Sequence, residues 1–226
     1  MNVLAVPVKD LVNAKQRLVP LLAAEERRAL AAAMLEDVLA AVASSRIDAV
    51  WVVTRDEAVS AIARRFGARL ITEAENLGHT AAVAAAQARA LAEGARLFAT
   101  IPGDVPCVTA TEVDTLVAAV DGSPAIAFGP SRSGLGTNGV ALAPPDALAL
   151  RFGEPSFENH LSAARARGLT PRVVELPRLA LDVDDPNDLV ALLADGSATR
   201  SGRLVATWNI AARLTDARAR AGACSR

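Results

Sequence analysis

The two lysines of the chain, Lys9 and Lys15, stand close together in the stretch VPVKDLVNAKQRLVP, directly after the first apolar run. All of the other strongly basic residues are arginines, and the first of them is Arg17. Lysine carries a compact, strongly hydrated charge on a flexible stem, which lets it follow a phosphate oxygen that moves during a reaction. Solvated surface charges are the simple alternative for the lysines, and pairing with a nearby acid is the simple alternative for Arg17. Because arginine is used nearly everywhere else, we favour phosphate binding by the lysines.

Aspartates follow two other apolar runs. Asp104 lies between Pro102 and Pro106 in PGDVP, and Asp182 and Asp184 follow the run LAL. Asp104 could simply form a turn, but a rigid turn also suits a metal ligand. Asp182 and Asp184 would project to one face of a strand, where they would repel each other if buried without a cation. Carboxylate oxygens are the ligands that Mg²⁺ prefers, so we predict a magnesium site.

Two loops rich in small residues add potential anion ligands, SGLGTNG (133–139) and FGEPSF (152–157). A hairpin explains the first loop, and a helix start with Ser156 as its cap explains the second. Exposed backbone amides and helix N-termini also bind phosphate oxygens. Lysines, aspartates and these loops together favour a site for a nucleoside triphosphate. Asp185 is assigned instead to a helix cap, because Pro186 and Asp188 follow it.

The remaining reactive side chains form no recognisable set. His79 and His160 lie near two different helix starts, where a surface or hydrogen-bonding role is expected. Cys107 and Cys224 lack metal-ligand spacing, and Cys107 resembles a small buried apolar residue. Neither a Ser-His-Asp order nor a CxxC motif is present.

Apolar runs that alternate with helical patterns predict an α/β protein with a mostly parallel sheet covered by helices on both faces. The predicted strands are 2–8, 49–54, 68–72, 96–101, 125–129, 139–143, 172–176 and 179–183. The predicted helices are 24–43, 56–65, 80–93, 111–120, about 157–167, 186–194 and 204–216. Ligands of such sheets bind outside the carboxyl ends of the strands, and the candidate residues follow strands.

The length predicts one domain over residues 1–195, followed by a C-terminal helix and tail over 196–226. Leu204, Trp208 and Ala212 recur at helical spacing, which indicates a helix that packs on the domain or joins two chains in a homodimer. A net charge of −1 and 3% aromatic residues argue against nucleic-acid binding. No apolar stretch has the length of a membrane span, and we expect a cytoplasmic protein.

Five motifs, in this order, resemble those of the CofC/FbiD guanylyltransferases of coenzyme F420 biosynthesis. They are PVKDLVNAKQRL, IPGDVP, GLGTNG, FGEPSF with a following histidine, and LDVDDPNDL, and they span roughly residues 2–194. The resemblance implies a single-domain, Rossmann-like nucleotidyltransferase (GT-A-like) fold. It further implies transfer of GMP from GTP to 2-phospholactate, phosphoenolpyruvate or 3-phosphoglycerate, with release of pyrophosphate.

The matching motifs also imply roles for individual residues. Asp104, Asp182 and Asp184 would hold Mg²⁺, while Lys15, Arg17 and Asp104 would lie along the GTP phosphates. The acceptor acid would be held by a further group, namely Lys9, Thr137, Gly153 and Ser156. Lys9, Lys15 and Asp104 would act directly in the transfer. A phosphate oxygen is already ionised at neutral pH, so no general base is required.

One segment departs from the family. The family has a GLN-like turn before its Ala-rich helix, whereas this chain reads NLGHTAAV (76–83). By position, the pocket for the nucleotide base would comprise Asn76, Gly78, His79 and Thr80. This departure leaves the preference for GTP over CTP or ATP open. A cytidylyltransferase acting on a pterin cofactor is a related alternative, but the chain lacks the Gly-rich GGxGTR loop of those enzymes. A non-catalytic nucleotide-binding module is a third alternative, and the three aspartates argue against it.

Overall fold

The computed structural model describes residues 1–72 and 78–224, with side chains described through residue 217. The strands are β1 (Asn2–Pro7), β2 (Ala49–Val53), β3 (Arg69–Ile71), β4 (Leu97–Thr100), β5 (Ala125–Pro130), β6 (Thr137–Ala143) and β7 (Arg172–Val173). The helices are α1 (Ala24–Ala43), α2 (Glu57–Arg65), α3 (His79–Ala92), α4 (Ala110–Ala118), α5 (Ser156–Ala166), α6 (Pro186–Asp195), α7 (Arg200–Ala206) and α8 (Ile210–Cys224).

The strands form one sheet in the order β3-β2-β1-β4-β6-β5-β7. Strand β6 runs antiparallel to β4 and β5, and all other neighbouring pairs are parallel. The prediction of a mostly parallel sheet is therefore confirmed. The carboxyl ends of the adjacent parallel strands β1 and β4 meet at one edge, where the segments with Lys9 and Asp104 begin.

Helices cover both faces of this sheet, as the alternation of buried side chains along β1 illustrates. Leu4 and Val6 point into a core shared with α1, α2 and α4. Val3 and Ala5 point the other way, into a core shared with α3 and α5. Successive residues of a strand face opposite sides, so near-continuous apolar strands are what a sheet with two covered faces requires. None of the helices in the described part of the chain combines the length and apolar character that a bilayer span needs.

The predicted strand 179–183 is wrong, and the predicted strand 172–176 is reduced to β7. Leu179, Leu181 and Val183 are buried as the pattern indicates, but their segment pairs with no strand among the described residues. Its backbone groups bind elsewhere: the Leu179 N–H donates to the Glu112 carboxylate at 3.0 Å, and the Val183 N–H donates to the Asp104 carbonyl at 3.1 Å. The second bond ties this segment to the loop after β4.

The predicted helix 204–216 is two helices, α7 and α8, separated at residues 207–209. Asn209 has a φ of 49°, a left-handed conformation that interrupts a right-handed helix. The break changes the buried face: Val205 and Ile210 are buried in a third core with α1 and α6, whereas Trp208 is only partly buried. The prediction that this segment packs on the domain is confirmed, and the homodimer stays a prediction.

Asp37 joins α1 to the start of α7. Its buried carboxylate accepts hydrogen bonds from the Arg200 N–H at 2.8 Å, the Ser201 N–H at 2.9 Å and the Ser201 hydroxyl at 2.7 Å. A carboxylate at a helix N-terminus satisfies amides that have no partner within the helix. The C-terminal segment is thus attached to α1 by polar contacts as well as by apolar packing.

We expect Asp37→Ala to lower the free energy of unfolding by about 2–3 kcal/mol, because it leaves buried donors without an acceptor. Urea unfolding followed by circular dichroism measures the change. The neighbouring variant Glu36→Ala is the control, since Glu36 makes only partly exposed ion pairs with Arg65 and Arg200 and should cost less than about 1 kcal/mol. Equal costs for the two variants would contradict the capping role of Asp37.

Candidate active site

A cavity of about 390 Å³ opens at the carboxyl ends of β1 and β4. Its wall includes Lys9, Lys15, His79, Asp104 and Asp184, together with backbone and apolar groups of the segments around them. The loop after β1 supplies both lysines, the loop after β4 supplies Asp104, and the segment before α6 supplies Asp184. The sheet topology therefore brings together residues that are far apart in the sequence.

The ammonium group of Lys15 lies between two carboxylates of this cavity. Its Nζ atom is 2.6 Å from Oδ2 of Asp104 and 2.8 Å from Oδ1 of Asp184. The Lys15 side chain is 7% exposed, while those of Asp104 and Asp184 are 31% and 46% exposed. A buried cation thus lies between two acids at the rim of the cavity, where breaking the pair would leave a charge uncompensated.

The backbone of Lys15 is left-handed, with a φ of 55° and a ψ of 47°. A short 3-10 turn, Gln16–Leu18, begins directly after it. For a residue with a Cβ atom this conformation costs roughly 1–2 kcal/mol. The chain accepts this cost at the residue whose side chain reaches both carboxylates, which is typical of functional sites.

Lys15 and Asp184 shift each other's pKa. Burial alone would lower the pKa of the Lys15 ammonium, but the charges of Asp104 and Asp184 outweigh it and raise that pKa above its ordinary value. Burial alone would raise the pKa of the Asp184 carboxyl, but the charge and hydrogen bond of Lys15 hold it below its ordinary value. The attraction between the opposite charges thus outweighs burial and keeps the ion pair charged at neutral pH.

Asp182 lies near this group but does not contact Lys15. Its Oδ1 atom accepts a hydrogen bond of 3.1 Å from the side-chain amide of Asn138. Burial, and then the negative charges of Asp104 and Asp184, raise the pKa of the Asp182 carboxyl. An additional positive charge beside Asp182 would relieve this repulsion.

The predicted magnesium ligands fit a hard cation by the chemistry of their donors. Asp104, Asp182 and Asp184 offer carboxylate oxygens, and Asp104 and Asp184 already share one cation, the Lys15 ammonium. Among the side chains of residues 1–72 and 78–217, no three His, Cys, Asp or Glu groups lie closely enough together to hold a metal ion. The three aspartates could therefore act together only after Lys15 and the carboxylates rearrange.

The start of α6 fixes the position of Asp184. Asp185 caps this helix as predicted, accepting a hydrogen bond from the Asn187 N–H at 2.7 Å. The Asp188 carboxylate in turn accepts from the N–H groups of Asp184 and Asp185, at 3.0 and 2.9 Å. Local capping thus places the Asp184 backbone beside the cavity.

The other two basic residues predicted to bind phosphate, Lys9 and Arg17, lie near Lys15 and its two carboxylates. Lys9 lines the main cavity and a smaller one beside Arg55 and Gly78, and among the described residues it forms no ion pair. Arg17 contributes positive charge to the surroundings of Asp184. Lys9 is thus available to a ligand, whereas Lys15 is engaged by the protein.

Two of the residues predicted to bind the acceptor, Thr137 and Ser156, are in contact with each other. The Ser156 hydroxyl donates to the Thr137 hydroxyl oxygen at 3.3 Å. Gly153, in the loop before Ser156, has a φ of 115°, a value that favours glycine. The prediction that Ser156 caps a helix is wrong, because Pro155 is the cap and Ser156 is the first residue of α5. Its hydroxyl is directed to β6 instead.

The start of α3 connects the acceptor loop to the cavity. The Thr80 hydroxyl accepts from the Phe152 N–H at 3.0 Å, and the ring of His79 meets the ring of Phe152 at 4.5 Å between centroids. Gly78 precedes α3 with a φ of 94°, and the predicted base-pocket residue Asn76 lies outside the described residues.

His79 is more closely involved in the site than a surface histidine. It lines both cavities, and its pKa is lowered by burial, raised by Asp104 and lowered by Lys9, with a net decrease. The imidazole is therefore neutral at pH 7. The sequence gives one indication that His79 belongs to the site. The residue follows a glycine at a helix start, in the segment NLGHT that differs from the family's motif.

The sequence matches the family model described as "Guanylyl transferase CofC like" over residues 1–220. A phosphoenolpyruvate guanylyltransferase of Sphaerobacter thermophilus is 40% identical over 192 residues, covering 84% of this chain and 92% of that protein. A 2-phospho-L-lactate guanylyltransferase of Methanothermobacter thermautotrophicus is 34% identical, covering 87% and 86%. A 3-phospho-D-glycerate guanylyltransferase of Phenylobacterium zucineum is also 34% identical, covering 88% and 92%.

A solved structure is also similar to this chain. The protein, from Desulfovibrio desulfuricans G20, is named as a nucleotide-diphospho-sugar transferase and superposes with a TM-score of 0.75. The match has 15% sequence identity and covers 92% of this chain and 95% of that one. At this identity the likeness concerns the fold alone, and it confirms the predicted nucleotidyltransferase-like α/β class.

We expect Lys15→Met to lower the free energy of unfolding by about 1–3 kcal/mol at pH 7, a range that allows for solvent screening of the partly exposed carboxylates. Asp184 has a folded-state pKa below its ordinary value of 3.8, so its stabilising contribution is present above that pH and is lost as the pH falls through the folded-state pKa. Lys15 stays charged at pH 3 and at pH 7, because its pKa is raised above the ordinary value of 10.5, so the pair weakens at acid pH through protonation of Asp184. The cost of the variant should therefore shrink at pH 3.

Urea unfolding at pH 7 and pH 3 measures this difference. Lys9→Met is the matched control, because it removes the other lysine without breaking an ion pair, and it should change stability by less than about 0.5 kcal/mol at either pH. A cost of Lys15→Met that is equal at the two pH values would assign the effect to packing of the lysine stem rather than to its charge.

Proposed function

The chain belongs to the family of CofC-like guanylyl transferases, and we propose that it transfers GMP from GTP to the phosphate of a three-carbon phospho-acid during coenzyme F420 biosynthesis. Phosphoenolpyruvate is the acceptor that we favour, because the relative named for it is more similar to this chain than those named for 2-phospho-L-lactate and 3-phospho-D-glycerate. The observation that carries the proposal is the Lys15 ammonium between Asp104 and Asp184 at the cavity rim. We place the reaction in the cytoplasm.

The reaction joins two anions. An oxygen of the acceptor phosphate forms a bond to the α-phosphorus of GTP, and the bond from that phosphorus to the oxygen bridging the α- and β-phosphates breaks. Pyrophosphate leaves with the bond's electron pair. The attacking oxygen is already ionised, so the protein's contribution is positioning and neutralisation of charge.

The cavity residues supply that positive charge in our account. Lys9 makes no ion pair with the described residues and is available to the acceptor phosphate on arrival. Lys15 would turn from its carboxylates to the phosphates of GTP, which its flexible stem permits. Asp104, Asp182 and Asp184 would hold Mg²⁺, which would supply further positive charge beside the phosphates.

The acceptor acid would lie on the side of the cavity where His79 contacts Phe152. Thr137 and Ser156 would bind it with their hydroxyl groups, which contact each other, and the loop at Gly153 would bind it with its backbone. Differences between the three candidate acids lie in the position of the phosphate and in the C2–C3 bond. The preference for one acid over the others would therefore depend on the directions in which the Thr137 and Ser156 hydroxyl groups donate and accept hydrogen bonds.

Pyrophosphate release tests the proposed activity. GTP, CTP and ATP are each offered with phosphoenolpyruvate, 2-phospholactate or 3-phosphoglycerate in the presence of Mg²⁺. We expect release that requires GTP and is fastest with phosphoenolpyruvate. Release only with CTP or ATP would contradict guanylyl transfer, and absence of release in every combination would contradict the proposed function as a whole.

Asp104→Asn tests the charge cluster within this activity. We expect turnover to fall by about 100-fold or more, because the variant removes a charge that organises the lysine and the cation. The partly exposed side chain should allow the variant to fold, which circular dichroism checks. Asp121→Asn, at an exposed position outside the cavity, is the matched control and should leave turnover unchanged. Unaltered turnover of Asp104→Asn would remove Asp104 from the reaction.

A further inference from the structure

Both ring nitrogens of His160 are engaged inside the protein. The side chain is 2% exposed, and its Nε2 atom accepts a hydrogen bond of 3.0 Å from the Arg151 backbone N–H. A backbone amide can only donate, so Nε2 carries no hydrogen. In a neutral imidazole the hydrogen is then on Nδ1, which lies 3.0 Å from the Thr137 hydroxyl oxygen. His160 therefore donates to Thr137.

This contact fixes the direction of the Thr137 hydroxyl. The oxygen of Thr137 accepts from Nδ1 of His160 and, at 3.3 Å, from the Ser156 hydroxyl. Two donors fill the two acceptor positions of a hydroxyl oxygen, which leaves its own hydrogen to be donated elsewhere. Within the described part of the chain, no further protein atom accepts that hydrogen. That hydrogen is left for an acceptor outside the described protein atoms.

The ring of His160 is held by aromatic packing on two sides. Phe128 stacks on it with a centroid distance of 5.4 Å and an angle of 7° between the rings. Phe152 meets it edge to face at 5.2 Å, and the same Phe152 ring contacts His79 in the cavity wall. The imidazole thus cannot turn to exchange its two nitrogens without disturbing the wall of the site.

Burial also keeps this ring neutral. It lowers the pKa of His160 to about 4, well below the pH of a working enzyme. Protonation would place a hydrogen on Nε2, directly against the Arg151 N–H. A neutral, singly oriented imidazole is what a fixed hydrogen-bond donor to Thr137 requires.

We propose that His160 is a positioning residue for the acceptor acid: it turns the Thr137 hydroxyl into a hydrogen-bond donor for an anionic oxygen of that acid. This inference rests on the proposed function, which places Thr137 in the acceptor site. His160 does not touch the acid itself, and it acts through Thr137. A purely structural role of the buried ring is the competing explanation.

Kinetics of a double-mutant cycle distinguish these roles. His160→Phe keeps an aromatic ring between Phe128 and Phe152 but removes both hydrogen bonds. We expect it to raise the KM for the acceptor acid about tenfold or more and to change the KM for GTP less than about twofold. His160→Asn should recover part of this loss, since its amide can still donate toward Thr137.

The Thr137→Val background supplies the decisive comparison. Without the Thr137 hydroxyl, His160 has nothing to direct, so adding His160→Phe to Thr137→Val should raise the acceptor KM less than about twofold further. If the double variant instead raises the acceptor KM by the product of the two single increases, His160 has a structural role and the inference is overturned. The same conclusion follows if His160→Phe raises the KM for GTP as much as the KM for the acid. Thermal unfolding of each variant identifies any loss of fold.

A second measurement does not depend on activity. The chain has two histidines, so ¹⁵N-detected spectra of the imidazoles, with His79→Gln for assignment, report the tautomer of His160 directly. We expect hydrogen on Nδ1 and none on Nε2 at pH 7, and the opposite tautomer would overturn the inference. Failure of the proposed function would appear differently, as a wild-type protein that releases no pyrophosphate with any acid.

Discussion

One buried ammonium group between two carboxylates organises the candidate site. Lys15 reaches Asp104, in the loop after β4, and Asp184, at the start of α6, and its own loop follows β1. These three segments would otherwise bring two negative charges to one edge of the sheet without compensation. The left-handed backbone of Lys15 shows that the loop is shaped around this contact. Phosphate chemistry requires the same balance, because each ligand of the reaction is an anion.

The site has a second part whose physical basis is different. Around Lys15 the dominant effect is charge, whereas around Thr137 and Ser156 it is the direction of hydrogen bonds. Charge is long-ranged and attracts any phosphorylated ligand, but it discriminates poorly among small acids. Directed hydroxyl groups discriminate well because an unmatched buried donor is costly. The ring contact between His79 and Phe152 joins the two parts, so the acceptor and the nucleotide would meet along one wall.

The sequence predicts what depends on local pattern and fails where partners are distant. Apolar periodicity predicts the α/β class, and the Asp185-Pro186 start of α6 is predicted because capping involves neighbours in the chain. The segment 179–183 has the composition of a strand, but its amides bind Glu112 and the Asp104 carbonyl, which no periodicity reveals. The residue types of Lys15, Asp104 and Asp184 indicate phosphate and cation chemistry, whereas their direct pairing depends on the fold. The sequence around His79 hardly predicts that it belongs to the site, since three separate loops form its environment.

The proposed transfer requires that the cavity bring an oxygen of the acceptor phosphate to the α-phosphorus of GTP. The most direct test is ³¹P NMR of the products formed from GTP and phosphoenolpyruvate whose phosphate oxygens are labelled with ¹⁸O. We expect the label at the oxygen bridging the two phosphorus atoms of the guanosine diphospho-acid and no label in the released pyrophosphate. Label in the pyrophosphate, or formation of GMP or GDP in place of the diphospho-acid, would contradict the proposed transfer.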